Sequence, residues 1–379
     1  MMRGMAPRDP AALAFCGAQT ASMEPVTHFL TGACLGRSGC NRRTAYATLA
    51  MVLAAEAPDI DLLWGFRGPV AELQHHRGLT HSMIFAPAMA LLVTGFVWLL
   101  DRLRKKRPPI PVKWGWVWLF AMLADLSHLA LDYTNNYGVR PFFPFSPHWY
   151  AWSIVYIFDP WMFLALLLAL VIPALLGLVD REIGVRKQRF RGRGWAVGAL
   201  VFVLGWWGLR SVEHSRAIDL VENGNYTQEP LLRVAAEPTM MSPFTWRVLT
   251  ETPGTYRTAK VDTLTDQVTT NDYSDVIYKP PMTPALTAAE RTYLGRVYLD
   301  WSKWPVIEDR GAVKAPGADF APDANWHTVE FQDLRFGYEP NEGDRTQAPP
   351  DPPLSGWVYV GPGGEIEGMF MARHEQPLP

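Results

Sequence analysis

The sequence predicts a mainly α fold: a polytopic helical membrane domain followed by a small α+β or mainly β extracytoplasmic domain. Nearly all the long apolar runs fall within 23–213, and tryptophans crowd their ends. Beyond residue 214 the chain turns polar and Pro-rich, with short β-branched and aromatic segments. A chain of 379 residues has room for two cores. Its 35 basic and 37 acidic residues give a net charge of -2, so no nucleic-acid partner is expected. The expected partner is the lipid bilayer. Cys16, Cys34 and Cys40 all precede residue 41, which leaves the C-terminal half without a disulfide framework.

Residues 1–22 match nothing that follows. Arg3 and Arg8 before Ala11-Ala12-Leu13-Ala14-Phe15 resemble a signal peptide, but the apolar run is short. The expectation is a non-native start or a disordered leader, with Met23 as the first natural residue. Two short helices come next, Val26–Leu35 and Thr44–Ala57, as a hairpin reaching into or across the membrane.

Four segments then have the roughly 20 residues a bilayer span needs: Ser82–Leu100, Trp114–Tyr133, Ile154–Val179 and Gly194–Val212. Pro173 and the glycines inside these runs also suit a soluble helical protein. The tryptophan flanks and the charge of the loops decide for the membrane. Arg37, Arg42 and Arg43 share one loop, Arg102 to Arg107 a second, and Arg181 to Arg193 a third. Alternating spans put all three on one face, which the positive-inside rule makes cytoplasmic. His28, the Asp59 to His81 segment, Asp132 and Asp159 then face outward, as does everything after the last span.

In the C-terminal half, a helix over His214–Asn223 continues the last span. Thr245–Glu251, Tyr256–Thr263, Trp326–Phe331 and Gly356–Val360 read as strands. Ala288–Trp301 reads as one amphipathic helix with Tyr293, Val297 and Trp301 on a face. Pro340–Pro353 has loop composition. No nucleophile–base pair, phosphate loop or metal motif appears here, so a structural or substrate-selecting role is expected.

The chemistry gathers between residues 28 and 132. Asp125, His128 and Asp132 are spaced i, i+3 and i+7, one face of a helix. A carboxylate near mid-span costs about 2.5–3.5 kcal/mol unless paired. Two carboxylates and an imidazole on one stripe therefore call for a shared cation, a water-filled cavity or a buried hydrogen-bond network. In an extended Pro58-Asp59-Ile60-Asp61, both carboxylates reach one cation; at a turn they are caps. His76 and His81 flank Arg77-Gly78-Leu79-Thr80, where Gly78 permits a tight turn and Thr80 or Ser82 can cap the next helix. Imidazole and carboxylate together are a ligand set for zinc, manganese or iron.

The expected metal ligands are His28, Asp59, Asp61, His76, His81, Asp125, His128 and Asp132. These exceed the shell of one ion, which favours two over one. Arg77 is expected to contact an anionic substrate oxygen, and Asp61 to serve in catalysis as well as ligation. Asp159 is either a ligand or a helix cap, with capping favoured. His75, His148, His214, His327 and His374 are expected to be structural or exposed.

Met23-Glu24-Pro25-Val26-Thr27-His28 with Gly32, Pro58-Asp59-Ile60-Asp61, His76-Arg77-Gly78-Leu79-Thr80-His81-Ser82 and Asp125-Leu126-Ser127-His128-Leu129-Ala130-Leu131-Asp132 resemble the YdjM-like, LexA-regulated membrane-bound metal-dependent hydrolases. The resemblance covers about 23–180. It implies a bacterial inner-membrane protein with metal-dependent hydrolytic activity and an unestablished substrate. His128-x-x-x-Asp132 is also similar to the helical ligand pair of zinc-dependent phospholipases C, and segments 242–247 and 331–336 resemble domains of longer family members. The expected function is hydrolysis of a phospholipid or other phosphoester at the outer membrane face. The alternative is a non-enzymatic scaffold or regulator with a structural metal.

Overall fold

The computed structural model describes residues 25–184, 191–224, 229–270, 275–336 and 354–377. The expectations for 1–22, for the Met23-Glu24 start and for Pro340–Pro353 lie outside these residues, as do Arg186, Lys187 and Arg189. The described chain packs as two compact units, one of 25–62 and 75–279, the other of 63–74 and 280–377. A helical N-terminal region with four candidate spans is followed by a sheet-rich region of antiparallel strands.

The first unit opens with α1 (Pro25–Leu35) and α2 (Ala47–Glu56). They meet through small residues: a Cβ on Gly32 would lie 2.7 Å from the Met51 carbonyl oxygen. Ala47, Ala50, Ala54 and Ala55 are buried, so the alanine face of α2 lets helices approach closely. A 3-10 segment, Ala57–Arg67, leads into α3 (Pro69–His75). The four helices long and apolar enough to cross a membrane are α4 (Ala86–Leu103), α5 (Trp114–Thr134), α6 (Pro160–Glu182) and α7 (Arg193–Glu222). In its apolar window α5 is 44% buried, against 22% for α6 and α7. It is therefore the central helix, the one able to shelter polar side chains from lipid.

Two span starts differ from the sequence reading, each for a local reason, whereas the helix expected over His214–Asn223 does continue the last span. Ser82 caps nothing: its hydroxyl donates to the Leu79 carbonyl, and α4 begins only after the turn that follows. Thr80 is not a cap either, because its hydroxyl donates to Asp61. α6 begins at Pro160, since Asp159 Oδ1 accepts from the backbone N–H groups of Trp161 and Met162, both at 3.0 Å. Capping, the favoured role for Asp159, is what these bonds show. The last span runs unbroken to Glu222, at about 1.5 Å per residue some 45 Å long, and so outruns a hydrocarbon core of about 30 Å.

The far end of α7 carries a sheet of β1 (Arg233–Pro238), β2 (Thr245–Glu251), β3 (Thr255–Asp262), β4 (Gln267–Thr269) and β5 (Val276–Tyr278). The order is β1-β2-β3-β4, antiparallel, with β5 also paired to β3. Ala217 and Val221 of α7 pack on Ala236, Trp246, Val248 and Val261. Arg210 is fully buried and donates to the carbonyls of Ile154, Thr239 and Ser242, joining span to sheet.

In the second unit, α8 (Pro284–Glu290) and α9 (Tyr293–Trp301) stand where one helix was expected. Thr292 breaks it and caps α9, accepting from Gly295 N–H at 2.9 Å. They accompany an antiparallel sheet of β6 (Pro305–Asp309), β7 (His327–Asp333), β8 (Gly356–Val360), β9 (Ile366–Met371) and β10 (His374–Gln376), in the order β10-β9-β8-β7-β6. Segment 63–74 belongs to this unit. Val70 N–H donates to Gln376 Oε1 at 3.3 Å, and the Tyr293 hydroxyl to Gln74 Oε1 at 2.7 Å. The composition step at residue 214 is thus not where packing divides.

Candidate metal centre

Pro58-Asp59-Ile60-Asp61 is not extended but lies in the 3-10 segment, and its two carboxylates still come within reach of one candidate cation with His76. Asp61 faces the histidine turn. Its Oδ1 lies 2.9 Å from His76 Nδ1, and its Oδ2 accepts from Arg77 N–H at 2.9 Å and Thr80 Oγ1 at 2.7 Å. His81 Nδ1 is 3.0 Å from the same Oδ2. Asp59 instead points its Oδ1 at the other edge of His81.

These contacts favour one tautomer for each ring. A carboxylate or carbonyl oxygen only accepts, so His76 and His81 present N–H to Asp61 through Nδ1. His128 does likewise to the Ala55 carbonyl, at 2.7 Å. In neutral rings so arranged the Nε2 atoms would carry the lone pairs, the arrangement that carboxylate or carbonyl partners impose on metal-ligating histidines. His81 Nε2 and His128 Nε2 nevertheless lie 3.0 Å apart. Asp132 Oδ2 stands 3.4 and 3.3 Å from them, and Asp59 Oδ1 3.3 and 3.6 Å. Two imidazole nitrogens and two carboxylate oxygens thus crowd together, and either protons on the rings or a shared cation must hold them.

A bound cation would hold these four atoms without such protons. Around a tetrahedral zinc with N and O ligands at about 2.0–2.1 Å, donor atoms stand about 3.3–3.4 Å apart. The five separations above span 3.0–3.6 Å. Both Asp132 oxygens, His76 Nε2 and His28 Nδ1 are buried without a hydrogen bond, which is the second mark of a fit. His76 with Asp59 and Asp61 forms an adjoining candidate set, and His28 with His128 and Asp132 another. His28 Nε2 is 3.5 Å from Asp132 Oδ1, and its ring stacks on His128 with centroids 3.9 Å apart.

Among the described residues the structure thus brings together His28, Asp59, Asp61, His76, His81, His128 and Asp132. Asp125 stands apart. It is fully buried one turn before His128, with neither oxygen hydrogen-bonded, and joins no candidate set.

Electrostatics outside the spans point the same way. Burial pushes the Asp59 carboxyl up, but His128 and His81 outweigh it and hold it at about 2. Burial likewise opposes charge on His81, yet Asp61, Asp132 and Asp59 raise its pKa well above the ordinary value. The pocket selects for positive charge.

Arg77 is placed differently from expectation. Its side chain is fully buried, and Nη2 lies 3.2 Å from Asp132 Oδ1, an ion pair without hydrogen-bond alignment. Nη1 donates to Asn135 Oδ1 at 3.2 Å and the Gly138 carbonyl at 2.7 Å. The left-handed φ of +54° also falls on Arg77 rather than Gly78. Gly78 is needed for space: a Cβ there would sit 2.9 Å from the His75 carbonyl oxygen.

Sequence reasoning missed Glu56, Thr80's bond to Asp61, and Asn135. Burial and the charge of Asp59 raise the Glu56 carboxyl to about 7. Its place three residues before Asp59 was the available signal. Among the described residues the remaining histidines join none of these sets. His327 pairs with Asp309 at 2.7 Å, and His214 meets the Trp246 ring.

The model of the YdjM inner membrane protein family matches residues 23–217, just over half of the chain and all of the cluster. The chain belongs to the YdjM inner membrane protein family. Membership and four apolar helices make it a membrane protein. It is also similar to YfhP of Bacillus subtilis (strain 168), an uncharacterized protein, at 28% identity over 162 residues. That match takes in 40% of this family member and 46% of YfhP, so the chain spans about half the length of that relative. No solved structure gives a significant match.

Proposed function

We propose that the protein is a membrane-bound, metal-dependent hydrolase. Asp59, His81, His128 and Asp132 hold a divalent cation, zinc in preference to manganese or iron. His76 with Asp59 and Asp61 marks the place of a second. The observation that carries this reading is the buried meeting of two imidazole nitrogens with two carboxylates. When bound, the cation supplies Lewis acidity, polarising the scissile group and acidifying water. Asp61 orients His76 and His81 through Nδ1, and Arg77 steadies Asp132. Glu56, a half-buried carboxyl near Asp59, is the candidate for taking and returning a proton there.

The opening of the centre favours catalysis. His81, His128 and Asp132 are sealed, whereas the Asp59 side chain is 12% exposed. α4 begins just after His81 and ends in the Arg102–Arg107 loop, while α5 begins after that loop and ends at the cluster. The basic loops therefore lie at the opposite end of this helix pair. With those loops cytoplasmic, the centre and the strands after α7 face the periplasm, and an amphiphilic phosphoester or phospholipid becomes the substrate class. A cysteine at Lys106 should then resist impermeant thiol reagents that label one at Thr265; equal labelling of both contradicts this orientation.

A second reading has its own support: the four donors already complete a tetrahedral shell, as in a structural site. Detergent-purified protein loaded with zinc, manganese or iron should hydrolyse phosphomonoesters, phosphodiesters or phospholipids, and chelator should abolish the activity. Bound metal with no turnover on any of these would favour the scaffold.

A further inference from the structure

The opposite, basic end of the helical unit holds a second cavity that the proposed chemistry does not use. It measures about 370 Å³ and opens between the turn before α2 and the loop after α4. Arg104, Lys106 and Arg107 line one side, Asn41, Thr44 and Tyr46 the other. No acidic side chain is among its lining residues. The nearest acid along the chain, Asp101, is engaged by the Tyr46 hydroxyl at 2.6 Å.

We propose that this cavity binds a phosphate-bearing anion, and that the anion is the headgroup of an acidic phospholipid.

The walls are fixed before any ligand arrives. Tyr46 sits at a left-handed φ of +64°, a conformation its ring gains nothing from by itself. Ala45 N–H donates to the Pro111 carbonyl at 3.3 Å, and Lys113 N–H to Thr44 Oγ1 at 2.8 Å. Arg104 leans over the Tyr46 ring at 5.8 Å. Three cationic side chains thus line one side of a hydrogen-bonded polar floor, the pattern that suits phosphate oxygens. Asn41 Oδ1 is buried there without a hydrogen bond. Turned over, the amide would bring its NH₂ end to that position, where it can donate to an anion.

Depth distinguishes a lipid from a soluble anion. Arg102 covers Trp98 and Arg43 covers Trp116, at 5.0 and 5.4 Å, so indole rings and guanidinium groups flank the cavity as at a headgroup layer. Leu49 and Leu103 stand exposed beside it, 39% and 73%, offering an apolar path for acyl chains. Basic pockets between spans at this level favour acidic headgroups.

The test is native mass spectrometry of full-length protein in neutral detergent, titrated with phosphatidylglycerol or phosphatidylcholine. Wild type should bind phosphatidylglycerol preferentially. Each basic side chain near an acidic headgroup is worth about five-fold, so Arg104→Gln with Arg107→Gln should weaken that binding about 25-fold. Both arginines are exposed, so the fold should survive; thermal unfolding in neutral detergent checks it. Asn41→Asp, which adds an anion instead of removing cations, should weaken binding independently. Undiminished preference in both variants overturns the site. Thermal stabilisation by millimolar inorganic phosphate equal to that by phosphatidylglycerol overturns the lipid assignment. Neither result bears on hydrolysis.

Discussion

Asp132 in the helical unit and Asp333 in the C-terminal unit are equally hidden from solvent, yet their surroundings are opposite. Asp333 accepts from Arg335 Nε and Nη2, from the backbone N–H groups of Lys303 and Arg335, and from the Ser302 hydroxyl. Asp132 has no aligned hydrogen bond on either oxygen, only the Arg77 ion pair and three imidazole nitrogens at 3.3–3.5 Å. A buried carboxylate with a full set of donors is a structural fastener. One ringed by imidazole nitrogens with no aligned donor is the mark of a candidate metal site. Burial alone does not tell the two apart; the partners do.

The contrast can be broken at either end, and the largest effect is expected at Asp333. Asp333→Ala strands a buried guanidinium, a change that typically costs about 3–5 kcal/mol. Denaturant unfolding followed by tryptophan fluorescence should show that loss in the C-terminal unit, with metal content unchanged. Metal loss on this substitution would mean the two regions are not chemically separate.

Next come the imidazoles. Removing an outer partner of a ligand commonly costs about 10–100-fold in metal affinity, so His81→Ala and His128→Ala should each cost at least that. His327→Ala should cost nothing, since that ring is half exposed and paired with Asp309. Competitive titration against a chromophoric chelator measures both, and equal affinities across the three would return the cluster to a hydrogen-bond network. Asp61→Asn sharpens the comparison further. It keeps the side chain's shape but not its charge on the two Nδ1–H groups, so a loss of about 10-fold is expected. Unchanged affinity would deny Asp61 its orienting role.

The smallest effect is one of pH. Burial pushes the Asp333 carboxyl up, but Arg335 and Ser302 outweigh it, and its pKa is lowered in the fold. A lowered folded pKa contributes stability that is complete above the unfolded value of about 3.9. That contribution disappears as pH falls from there through the folded value. Chemical unfolding of the C-terminal unit should therefore weaken with acid only below about pH 4; a midpoint already falling near neutrality would point to other groups.

Much of this was legible because local pattern sufficed. The i, i+3, i+7 stripe put Asp125, His128 and Asp132 on one face of α5, and apolar length marked all four spans. Strands Thr245–Glu251 and Gly356–Val360 stood out through their own residues. β4, β5 and β10 did not: at three residues each, they are strands only because a distant neighbour pairs with them. The different tasks of Asp59 and Asp61 were hidden for a similar reason. They depend on a 3-10 turn and on which imidazole edge each carboxylate meets. Arg77 read as a free phosphate binder because its partners, Asp132, Asn135 and Gly138, lie over fifty residues away. Nothing in 63–74 announced that it packs with the chain's far end.

The central claim is that Asp59, His81, His128 and Asp132 share a cation. X-ray absorption at the metal edge of detergent-purified protein, after elemental analysis, addresses it directly. The account predicts a bound divalent ion, zinc foremost, in a shell of nitrogen and oxygen at about 2.0–2.1 Å with imidazole scattering that disappears in the His81→Ala, His128→Ala double variant. A folded protein that takes up no divalent metal when supplied with zinc, manganese and iron, or whose metal spectrum is untouched by that variant, would contradict it.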